Sequence, residues 1–146
     1  MLKKESFKLL VLMTVAGLIM SIIEGLVIRT VTNVTFNILI IDTVLSLVAI
    51  LLIGIFLLSG LRKQDIIVSV IIVIIYSLLA LAIQQVMMKL EIYNAISYYW
   101  IYIPMRIFSF VTQWIMKLQG LSIYIGIFIA DLAPLIFVAF GSKKQN

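Results

Sequence analysis

The chain has 146 residues, 64% hydrophobic and 12% charged, with a net charge of +5 and a mean hydropathy of +1.27. That composition excludes a water-soluble domain, and the polar connections are too short to hold a separate catalytic or nucleic-acid-binding unit. Histidine and cysteine are both absent. Their absence removes the common transition-metal ligands, thiol nucleophiles, disulfides and a histidine base, so we expect no metal, no cofactor and no enzymatic activity.

A short basic head, residues 1–6, leads into an apolar run over 7–28. At about 1.5 Å per residue this run crosses a bilayer core of roughly 30 Å. It is too long for a secretory signal and ends in Glu24, Gly25 and Arg29, so it reads as a retained first membrane helix. Gly17, Ser21 and Gly25 recur every fourth residue, a small-residue stripe on which another helix can approach closely. Residues 29–41 are β-branched and polar with loose alternation, the pattern of an extended or irregular connection. Asn33-Val34-Thr35 also fits a glycosylation sequon, a permissive pattern too close to the membrane to carry weight.

The second span covers 42–60, with Ser46 and Ala49 following Asp42 on one face, and the third covers 66–88. The β-branched opening of the third would suggest a strand in water. In lipid a lone strand leaves its backbone unpaired, so helix is expected, with Ser77 and Gln84 sharing a face.

Residues 92–120 are ambiguous. Pro104 suits the first position of a helix over 104–118, on which Arg106, Ser109, Gln113 and Lys117 form one narrow polar stripe. Such a helix would lie in the interface, re-enter the membrane or span it. The cluster Tyr98, Tyr99, Trp100 and Tyr102 reads as an interfacial anchor rather than a ligand cage.

The last span, 121–140, carries Asp131 near its middle. An acid at that depth costs about 2.5–3.5 kcal/mol on insertion scales and therefore needs a partner or a role. Pro134 leaves the carbonyl of Ala130 without its usual helical donor beside that acid. Tyr124 lies seven residues before it on the same face, and a turn at 118–119 would set Arg106 level with Asp131 and Pro104 level with Pro134.

The expected fold is all-α: one integral membrane domain, a polytopic bundle of four transmembrane helices with a fifth, amphipathic and aromatic helix before the last. With four spans, Lys3, Lys4, Lys8, Arg62, Lys63, Lys143 and Lys144 fall on one side, against Arg29, Lys89, Arg106 and Lys117 on the other. This favours an N-terminus inside; five spans obey the rule slightly less well. Isoleucine-rich, cysteine-free composition with lysine caps suits a multi-pass protein of a bacterial cytoplasmic membrane. Expected partners are the bilayer with its anionic headgroups and either a second copy or another membrane protein, with no nucleic acid.

Two functions fit. The first is an accessory, regulatory or immunity-type subunit that packs through Gly17, Ser21 and Gly25. The second is a small transporter or channel element for a cation or small solute, using Asp131 and Arg106. In the second, Glu24, Asp42 and Gln84, joined by Gln85 and Lys89, form a vestibule near the outer leaflet. In the blander reading these are helix-end groups reaching for headgroups and water.

Overall fold

Long apolar runs satisfy their backbone in lipid only as helices or closed barrels. The computed structural model, which describes residues 4–30, 35–119 and 123–141, is helical in all its elements. A 3₁₀ turn (Lys4–Phe7) leads into α1 (Lys8–Thr30); α2 (Thr35–Leu52) runs on as a π-helical stretch (Ile53–Leu58), and a short turn precedes α3 (Lys63–Lys89). These three helices are long and apolar enough to cross a membrane. Their outward faces, with Val11, Ile22, Phe56, Ile75 and Leu79 exposed, are apolar as well, as lipid requires.

The expectation of an extended connection over 29–41 is corrected. Helix α1 continues to Thr30 and α2 begins at Thr35; residues 31–34, and with them most of the sequon, lie outside the described residues. Internal backbone pairing outweighs the β-branched pattern here. In consequence Asp42 sits two turns inside α2 rather than at its start.

Helix α3 ends in a tight reversal. Glu91, at φ 57°, takes the left-handed conformation usually given to glycine, and its N–H and that of Ile92 donate to the carbonyls of Met88 and Met87 at 3.2 and 3.1 Å. Asn94 then caps α4 (Ala95–Tyr102), its side chain accepting from the N–H groups of Ile96 and Ser97. A 3₁₀ segment (Ile103–Phe108) opens with Pro104 and passes into α5 (Ser109–Gln119). Finally α6 (Ile123–Leu132) changes to 3₁₀ over Ala133–Phe140, where Pro134 enters. At both prolines the chain tightens to i→i+3 pairing, which offsets the α-helical donor that proline lacks.

Cross-contacts set the register. The Tyr76 hydroxyl, midway along α3, donates to the carbonyl of Ile101 at 2.6 Å, and the backbone of Ile103 lies against Gly17, midway along α1. Beyond that point the chain climbs back, and the Trp114 indole donates to Thr43 at 2.8 Å. Residues 95–119 therefore enter the bundle from the end where α3 finishes and return to it. Phe140 packs over Gly54 and Gly141 abuts Lys63, so the last segment ends beside the α2–α3 turn. The core gathers around the inserted tip: Met105, Ile107 and Phe108 meet Met13, Val73 and Phe137, and the rings of Phe108 and Phe137 lie edge to face at 6.0 Å.

Candidate functional site

The tip of the insertion carries the polar stripe into the bundle. Arg106 forms an ion pair with Glu24 of α1. One turn on, the hydroxyl of Ser109 and the amide of Gln113 donate to the same carboxylate oxygen of Asp42, at 3.2 and 3.0 Å. The spacing of three and four along 106–113 aims these three side chains the same way, and the Glu24 and Asp42 carboxyl groups lie within reach of one another. Exposed Lys117 continues the stripe out of this group.

Asp131 takes different partners from those expected. Arg106 does not hold it, being turned to Glu24; the expected bond to Tyr124 falls on a side chain outside the described residues. The Tyr102 hydroxyl donates to Asp131 Oδ1 at 2.8 Å. Ser77 is close by, but the Ser77 hydroxyl spends its proton on the carbonyl of Ile74, at 2.9 Å. The hairpin itself forms, with α5 packed along α6 and the Thr112 hydroxyl donating to the carbonyl of Gly126 at 3.2 Å, but at the 3₁₀ tip Arg106 turns to Glu24 of α1 and leaves Asp131 to Tyr102.

Asp42 and Asp131 are 1% and 0% exposed, and the Glu24 side chain is 12% exposed. Each of these three acids keeps one buried oxygen without a hydrogen-bond partner: Glu24 Oε1, Asp42 Oδ1 and Asp131 Oδ2. Ser46 Oγ, also buried, has none either. That is unusual in this chain, since Thr14, Ser21, Thr43 and Ser69 all donate to the carbonyl four residues back. Gln84 and Gln85 enter none of these bonds, and Lys89 is exposed, so only Glu24 and Asp42 of the expected vestibule meet.

The chain matches no family model, no curated protein and no solved structure.

The small-residue stripe divides. Gly17 faces Ile103 within the chain, where a methyl group would overlap the Ile103 carbonyl oxygen and stand 3.3 Å from Arg106 Cβ. Ser21 donates to the carbonyl of Gly17 at 2.7 Å, and Gly25 has nothing within 4 Å of where a Cβ would stand. What the sequence pattern does not reveal is the tyrosine side of the insertion. Tyr98 stacks on Tyr102 at 5.7 Å and 21°, and Tyr93 lies 6.1 Å from Tyr98. The spacing of four between 98 and 102 is the one signal that would have placed two tyrosines on a common face. Tyr99 and Trp100 are exposed, which suits the anchoring expected of them.

Proposed function

We propose that this protein is a small membrane transporter element that carries a cation or small solute in exchange for protons held on Glu24, Asp42 and Asp131. The observation that supports this best is a charge imbalance. Glu24 and Asp42 lie together beside the Arg106 guanidinium, Asp131 is buried apart from it, and each acid retains an oxygen with no hydrogen-bond partner, as does Arg106 at Nε. Carboxylates left so in a low-dielectric interior take up protons or a cation, and a site able to hold either is the minimum equipment of an exchanger. Helices interrupted near the acid, as at Pro134, are a recurrent feature of mid-membrane binding sites.

In this reading the chain crosses the membrane four times, by α1, α2, α3 and the 123–140 segment, while 95–119 re-enters from one side. The positive-inside pattern favours an N-terminus in the cytoplasm, and the composition suits a bacterial membrane.

A test uses the purified chain in proteoliposomes that enclose a pH-sensitive dye. Inward gradients of Na+, K+ and a panel of ammonium salts are imposed in turn. At least one cation is expected to drive protons outward, and Asp131→Asn or Asp42→Asn is expected to abolish that movement. No proton movement with any of these cations would sink the reading.

A second reading, an accessory, regulatory or immunity-type membrane subunit, is favoured by one other feature. An apolar groove of about 330 Å³ runs between α1 and α2, bordered by Val15, Ile19, Val48 and Leu52. It would accept an apolar helix of a partner or of a second copy, and Gly25 on the same helix remains open.

A further inference from the structure

Between α4 and the tip of the insertion lies a cavity of about 260 Å³ lined by Tyr93, Tyr98, Tyr99, Tyr102, Arg106 and Ser109. Three of these side chains are each bonded on their far side to a different acid: Tyr102 to Asp131, Arg106 to Glu24 and Ser109 to Asp42. The cavity thus has an aromatic inner wall and, one bond behind it, three carboxyl groups against a single guanidinium. Aromatic faces attract cations, most strongly where water is displaced, and an excess of acid behind them adds an attractive field. The volume lies just under the range of roughly 300–1,000 Å³ usual for drug-sized ligands, which limits the occupant to a small molecule.

We propose that this chamber binds a small organic ammonium ion, its charged head against the tyrosine wall and Asp131 behind Tyr102. The assignment rests on the transporter reading above and names its substrate class. Arg106 lines the same cavity and its Nε has no hydrogen-bond partner, but its guanidinium is paired with Glu24 with Asp42 alongside, so its charge is offset by acid. Nor is the tyrosine wall simply a membrane anchor: the rings of Tyr93, Tyr98 and Tyr102 run in series from the α3–α4 turn to the buried acid.

The test is calorimetric titration of the full chain in lipid nanodiscs with benzyltrimethylammonium, and separately with benzenesulfonate, an anion with the same aromatic ring. Saturable binding of the cation is expected. Choline should compete, and its uncharged analogue 3,3-dimethylbutanol should not. Tyr98→Leu should weaken the cation roughly 5- to 30-fold, while Tyr98→Phe, which keeps the ring, should bind within about twofold of the parent. Should Tyr98→Leu fail to fold, Tyr99→Leu, at a more exposed position on the same wall, is expected to weaken binding in the same direction. Preferential binding of benzenesulfonate, equal binding of 3,3-dimethylbutanol, no saturable binding, or affinity unchanged in both leucine variants would each overturn the assignment. Failure of the two hypotheses can be told apart. Cation-driven proton movement without ammonium binding removes the substrate class alone, whereas ammonium binding without proton movement removes the transporter reading and leaves a binding site.

Discussion

Arg106 is a single cation among acids, and its neighbours define what its removal does. Its guanidinium pairs with Glu24, and both side chains are largely covered, at 24% and 12% exposure. Removing one partner of such a pair leaves an uncompensated charge in a low-dielectric setting, a loss of about 3–5 kcal/mol in soluble proteins. Arg106→Met is therefore expected to lower stability by about that amount, measured by unfolding in mixed micelles with increasing sodium dodecyl sulfate. Adding Glu24→Gln to Arg106→Met should recover more than half of the loss, since the stranded charge goes with it. A double variant as unstable as the single one would mean that Arg106 acts through packing of its stem on α1. The sequence revealed that Asp131 needed a partner, because a charge inside an apolar run is costly, and it offered Arg106 for the role; Glu24 and Asp42 read as groups near helix ends. It did not reveal the pairing. Periodicity fixes which residues of one helix share a face, but the choice between Glu24 and Asp131 depends on how far the 103–108 segment penetrates and where α5 then leans.

The insertion owes its depth to one close approach. At Gly17 the backbone of Ile103 comes so near α1 that a Cβ would overlap its carbonyl oxygen, a backbone atom that cannot swing aside. Gly17→Ala is accordingly expected to displace the tip of the insertion and with it Arg106, destabilising the protein despite alanine's better helix propensity. Gly25→Ala provides the contrast, because nothing lies within 4 Å of the new methyl group. It should be neutral or stabilising by up to about 1 kcal/mol, the propensity difference alone. Equal effects of the two changes, in the same micelle unfolding assay, would show that the tip is not seated on Gly17. The stripe of Gly17, Ser21 and Gly25 was legible as a packing face, but whether its occupant comes from the same chain is a long-range matter that spacing along α1 does not encode. The three long helices were legible because twenty apolar residues in lipid have one solution. The 3₁₀ and α-helical pieces of 95–119 were not, since a segment mixing Arg, Gln and Pro with aromatics satisfies neither the spanning nor the interfacial template.

At the scale of the whole molecule, the ends of the segments decide how the chain is threaded. A fifth crossing by 95–119 would send the following segment the other way and leave its end beside the termination of α3. Instead Gly141 abuts Lys63 and Phe140 covers Gly54, both at the α2–α3 turn, while Asn94 and the start of α4 belong to the opposite end. The insertion is held from both flanks, by Tyr76 on α3 and by Thr43 on α2, contacts that support the proposed re-entrant path. The expected threading has the α2–α3 turn and the C-terminus on one side, and the α3–α4 turn on the other. Because the chain contains no cysteine, single cysteines introduced at Gln64 and Glu91 report without background. With a membrane-impermeant maleimide on intact cells, Glu91→Cys should react and Gln64→Cys should react only after permeabilisation, with a reporter fused after Asn146 giving the cytoplasmic signal. If both cysteines and the reporter exchange sides together, the bundle is inverted but its threading holds. A reporter that sides with Glu91 would require an odd number of crossings, and the contact between Gly141 and Lys63 could not then exist. The same experiment bears on the proposed chamber, because with this threading Tyr93, at the α3–α4 turn, lies on the side of Glu91, and the series of rings through Tyr98 and Tyr102 leads from it to Asp131.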